Sequence, residues 1–187
     1  MSSIVVETTA IPDVKIITAR RFGDRRGFFS ETYNREAFFE AGLDYDFVQD
    51  NHSLSVLVGT IRGLHFQSAP FAQDKLVRVT NGRVYDVAVD LRRSSPTFGR
   101  HVGVELSVEN WCQLFVPIGF AHGFCTLEPN TEVLYKVTAH YSVAGDHGLA
   151  WDDPDLAIDW PVPSDRVVLS EKDRAHPRLR NLSQLFD

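Results

Sequence analysis

The chain has 187 residues, 43% of them hydrophobic and 24% charged, which predicts one globular domain over residues 1–187 with a sizeable core. A formal net charge of -6 argues against a nucleic-acid module, because a phosphate backbone demands a basic face. A few arginines and lysines can still converge on one anionic small ligand. No apolar run is long enough for a membrane span, and the opening Met-Ser-Ser-Ile-Val-Val-Glu lacks the basic and apolar regions of a secretory signal. Cys112 and Cys125 sit in no ligand spacing and read as reduced structural thiols of a cytoplasmic protein.

In chain order, the first strand-like segment is 15–19. A helix is expected over 35–41, with Asn34 as N-cap, Glu36 in the first turn and Gly42 as the stop. Further strand-like segments follow at 47–49, 75–80, 83–91, 102–106, 113–116, 121–127 and 131–137. They are short, rich in Val, Phe and Leu, and broken by Gly, Pro, Asn and Ser, a pattern that predicts an all-β sandwich or barrel. Asn81-Gly82 between two of them predicts a type I′ hairpin. In its second strand Tyr85, Val87, Val89 and Leu91 share one face; Asp86, Ala88 and Asp90 share the other, where two carboxylates must meet water or line a polar cavity. The tail over 157–182, with Pro161, Pro163 and Pro177 and one helical turn at Glu171-Lys-Asp-Arg174, reads as an extended arm wrapping the barrel.

Two constellations carry chemistry. Pro117-Ile-Gly119-Phe-Ala-His122 has the form PxGxxH and resembles the second conserved motif of cupins, in which the His points into a β barrel; a satisfied core His is the competing reading. Arg62-Gly-Leu-His65-Phe-Gln67 occupies the place of a first motif. It lacks the His-x-His and nearby Glu of a metal cupin, so no metal and no cofactor are expected and the histidines are free for acid–base work. Tyr135 in its apolar strand reads equally well as a core aromatic, and Asp173 within Ser170-Glu-Lys-Asp-Arg174 as part of a solvated turn.

Eight ordered blocks resemble the dTDP-4-dehydrorhamnose 3,5-epimerase family, from about Ile11 to Asp173. They include Gly23-Asp-Arg-Arg-Gly-Phe-Phe-Ser-Glu31, Phe47-Val-Gln-Asp-Asn-His-Ser53, the segments around His65 and His122, Asp86-Val-Ala-Val-Asp-Leu-Arg92 and Ser95-Pro-Thr-Phe-Gly99. Leu134-Tyr-Lys136 and Leu169-Ser-Glu-Lys-Asp173 complete the set. The resemblance implies a cupin-type jelly-roll barrel and a dTDP-4-keto-6-deoxy sugar whose C3 and C5 protons are removed and returned on the opposite face.

By the same resemblance His65 is the base, Asp173 the carboxylate that holds it, Tyr135 the opposed proton donor and Lys75 the cation beside the keto oxygen. Asp86 is the rival partner for His65, or the partner of His122. Arg26 and Arg62 match residues that grip the nucleotide, and Tyr141 the aromatic that stacks on thymine. Glu31, Gln49, Asp50, Asn51, His122 and Lys172 match further substrate contacts. Asp146 stands where the family commonly has Glu. In the family the segment bearing Arg26 and Glu31 completes a neighbour's site, which implies a homodimer. A C3- or C5-only epimerase shares these motifs. A sugar-nucleotide-binding cupin would need neither base nor opposed acid, and a metal-dependent oxygenase would need the missing ligands.

Overall fold

The computed structural model describes residues 3–187; Met1 and Ser2, part of the opening segment, lie outside the described residues. In chain order the strands are β1 (Ile4–Thr8), β2 (Lys15–Ala19), β3 (Phe22–Asp24), β4 (Gly27–Phe29), then helix α1 (Arg35–Glu40), β5 (Gln49–Ser55), β6 (Ile61–Gln67), β7 (Lys75–Asn81) and β8 (Arg83–Asp90). They continue as β9 (His101–Ser107), β10 (Cys112–Val116), β11 (Phe120–Thr126), β12 (Thr131–Val137) and β13 (Asp146–Gly148), before the single helical turn α2 (Glu171–Arg174). Among the described residues, no helix is long and apolar enough to cross a membrane.

One six-stranded sheet has the order β1-β2-β10-β7-β12-β5, and one five-stranded sheet the order β13-β6-β11-β8-β9. Successive strands β5 and β6, β7 and β8, and β11 and β12 fall in different sheets, the alternation of a jelly roll. The fold is all-β, as the segment pattern predicts.

Period-two alternation sorts the side chains into layers. Val77 and Val79 of β7, Leu114 and Val116 of β10, Ala88 of β8 and Phe120 and Phe124 of β11 meet between the sheets. Their neighbours Leu76 and Phe115 face outward instead and pack under α1 with Phe38. On the other side Val87, Val89, Ala121 and Cys125 face outward and are covered by Leu149, Leu156 and Trp160 of the long C-terminal arm. Burial pushes the Cys125 thiol up to about 12, which keeps it inert at neutral pH. Asn34 caps α1 as expected, its side chain accepting the Ala37 N–H at 3.2 Å.

The Asn81-Gly82 hairpin is not there. β7 pairs with β10 and β12, and β8 with β9 and β11, so the turn is a corner that carries the chain from one sheet to the other. Of the two residues only Gly82 takes a positive φ, +76°, and a Cβ there would run into Thr131. Asn81 stays in its strand and donates to the Asn130 carbonyl. Asp90 likewise neither meets water nor lines a cavity. It is fully buried and accepts from Arg92, Ser95 and Thr97, tying down the loop after β8. The 47–49 segment proves to be the entry to β5, while β1, β3, β4, β6 and β13 were not anticipated.

Candidate active site

A cavity of about 480 Å³ opens between the sheets at the end away from the apolar core. Alternation selects its walls. Lys75 shares the inward face of β7 with Val77 and Val79, and Tyr135 that of β12 with Val133; Gln49, Asn51 and Ser53 are the inward residues of β5. From the facing sheet come His122 and Phe124 of β11 and His65 of β6. The β6–β11 register shifts between His122 and Phe124, and across this irregularity Arg62 and His65, three residues apart, both reach the cavity.

His65 lies opposite His122 on β11 and opposite Gly148 on β13. Its Nε2 is 2.6 Å from Asp173 Oδ1. Asp173 comes from α2, where Ser170 caps the turn by accepting the Asp173 N–H and donates its hydroxyl to Asp173 Oδ2 at 2.8 Å. Burial pushes the Asp173 carboxyl up, but His65, Ser170 and His176 together outweigh it and hold the group below the usual carboxylate range. An ionised carboxylate only accepts, so Nε2 carries the proton and Nδ1 is left as the basic nitrogen.

Asp86, the rival partner, bonds His122 Nε2 at 2.8 Å instead, and both are buried. Lys75 Nζ donates to the His65 carbonyl at 3.2 Å, and burial pushes its ammonium down to about 8. Burial also pushes the Tyr135 phenol up, so it holds its proton at neutral pH.

At the cavity mouth Asp146 accepts from the Tyr141 hydroxyl at 2.9 Å and pairs with Lys172. The Tyr141 ring remains exposed, and its backbone N–H donates to Gln49 Oε1. Arg62 is held by Ser55 Oγ and the Leu54 carbonyl.

Three expected residues lie elsewhere. Asp50 is on the outer face of β5, where it accepts from Lys136 at 2.8 Å, because its strand neighbours Gln49 and Asn51 take the inner face. Arg26 has an 85% exposed side chain and pairs with Asp24 of its own hairpin; Glu31 accepts from Asn34. Neither reaches the cavity of its own chain. Sequence reading missed His176, whose Nε2 lies 3.4 Å from Asp173 Oδ1 and whose ring meets that of His65 edge-on. The signal available was its spacing, one helical turn after Asp173.

An imidazole on one sheet held by a carboxylate from α2, facing a protonated phenol and an ammonium on the other sheet, can move protons on and off carbon next to a carbonyl. Residues 8–181 match the family model described as dTDP-4-dehydrorhamnose 3,5-epimerase. The dTDP-4-dehydrorhamnose 3,5-epimerase of Sinorhizobium fredii is 52% identical over 186 residues, covering 100% of this chain and 95% of that protein. The chain belongs to the dTDP-4-dehydrorhamnose 3,5-epimerase family.

Solved members of the family share the fold closely. The Bacillus anthracis epimerase, crystallised with TDP and PPi bound, superposes with a TM-score of 0.90 at 52% identity, over 94% of this chain and 99% of that one. The Legionella pneumophila enzyme in complex with dTDP-4-keto-L-rhamnose gives 0.92 at 45% identity, over 96% and 95%.

Proposed function

We propose that this epimerase-family chain converts dTDP-4-dehydro-6-deoxy-D-glucose to dTDP-4-dehydro-L-rhamnose, inverting C3 and C5 with side chains alone. The observation that carries the reading is that His65, held by Asp173 of α2, and Tyr135 enter one cavity from opposite sheets. His65 Nδ1 takes the proton next to the C4 ketone, and Asp173 stabilises the imidazolium that results. Lys75, charged at neutral pH, meets the enolate oxygen, and Tyr135 returns a proton to the other face of the ring. Its raised pKa suits that part, since the phenol must still hold its proton. Solvent then resets both groups.

Arg62 and the exposed Tyr141 ring grip the diphosphate and thymine ends, with Gln49, Asn51, His122, Asp146 and Lys172 as further contacts. The sugar is thereby left to present C5 and then C3. Arg26 and Glu31 serve a second copy of the chain. Support for that homodimer comes from the exposed apolar residues Phe22, Phe28 and Phe29 on the same hairpin and Leu54, Val56 and Leu57 at the outer edge of β5. Two unpaired thiols and a nucleotide-sugar substrate fit a reducing, cytoplasmic setting.

NMR of the sugar protons during turnover in D2O tests the reading. Deuterium should enter at both C3 and C5. Label confined to one carbon after prolonged incubation would make this a mono-epimerase, and no label would refute the base assignment.

A further inference from the structure

The His176 side chain is 9% exposed, and among the described residues its Nε2 has no hydrogen-bond partner. It is 3.4 Å from Asp173 Oδ1, but poorly aligned for a bond. The ring is placed there by the absence of a side chain at Gly148: a Cβ on that residue would collide with the imidazole. Gly148 is also the residue opposite His65 on β13, so the same glycine brings the two imidazoles together.

We infer that His65, Asp173 and His176 form a binding site for a zinc-class divalent cation, and that filling it switches the base off. Two imidazole nitrogens and one carboxylate oxygen are the donor set of many three-residue zinc sites. The three donor atoms lie within 4.8 Å of one another, with separations from Asp173 Oδ1 of 2.6 and 3.4 Å. Tetrahedral zinc with bonds of about 2.1 Å places its ligands about 3.4 Å apart, so modest side-chain rotations close the shell. Lys172, the cation on the same helical turn, is engaged by Asp146 and does not occupy the carboxylate.

The inhibition follows from the tautomer. A cation on Nε2 of His65 takes that nitrogen's lone pair, so the single ring proton must sit on Nδ1. The nitrogen that accepted the substrate proton then has none of its basicity left. This switch rests on the functional reading above, whereas the cation site itself does not.

Zinc sulfate titrated calorimetrically into chelator-treated, dialysed protein should show one site per chain, and cobalt chloride should give the intense visible bands of a four-coordinate ion. His176→Gln and His65→Asn should each weaken binding about tenfold or more. Gly148→Ala, which displaces the imidazole while leaving all three ligands in the chain, should do the same. In the D2O assay zinc should block exchange at the concentration that fills the site, and EDTA should restore it. No uptake in large molar excess, or uptake unchanged in all three variants, would overturn the site. Zinc bound as expected to a protein with no exchange activity would leave the site standing and sink the functional reading.

Discussion

Replacing Lys75 by Met should make the protein more stable at neutral pH while removing most of its activity. Lys75 is 8% exposed, and burial pushes its ammonium from 10.5 to about 8. At 1.36 kcal/mol per decade, keeping it charged inside the protein at pH 7 costs about 3 kcal/mol. Removing the ammonium leaves the His65 carbonyl without its donor, which takes back about 1.5 kcal/mol of this. Methionine keeps the stem and removes the charge, so a net gain of about 1–2 kcal/mol is expected.

The dependence on pH has a definite sign. Because the folded value lies below the unfolded one, the unfolded chain holds more protons between about pH 8 and 10.5, and Lys75 becomes less costly as pH rises through that window. The advantage of Lys75→Met should therefore shrink from pH 7 to pH 10, as read by urea denaturation of both proteins. Turnover should fall about 100- to 1000-fold, the usual loss on removing an oxyanion partner. A variant less stable than wild type at pH 7, or a stability difference that does not change with pH, would refute the argument.

Tyr135→Phe should retain part of the solvent-deuterium exchange while epimerisation falls about 100-fold or more, because His65 can return a proton to the face it came from; equal loss of both would make the hydroxyl structural or enolate-stabilising. Inactive Arg26→Ala and inactive His65→Asn proteins should regain activity when mixed, since one site of a mixed dimer carries neither lesion. No recovery, with subunit exchange shown separately by labelled chains, would count against shared sites.

Period-two alternation made much of the architecture legible: the strands over 75–80, 83–91 and 131–137 keep their places almost to the residue. Asn-Gly misled because turn chemistry reports local backbone shape and says nothing about which partner a strand chooses. The β7 and β8 strands each find neighbours far away in sequence, and Gly82 was needed for a corner. β5 and β6 hid because their inward residues are polar, so the apolar pattern that marks a strand fails where a cavity replaces the core. The site itself was read through family motifs, which is why His65 and Asp173 were paired in advance and His176 was overlooked. No local rule on composition or spacing brings together residues 108 apart in the chain.

The docking of the C-terminal arm sets a time order on competence. The strands of both sheets are complete at β13, but Ser170, Lys172 and Asp173 of the cavity wall come later, on a segment pinned to the sheets through the Thr60–Val168 bridge and the apolar residues around Trp160. A chain ending before Ser170 still carries every strand of both sheets but lacks the carboxylate beside His65. Proton exchange at the sugar would thus report that the segment bearing Asp173 has docked, which no probe of sheet content would give.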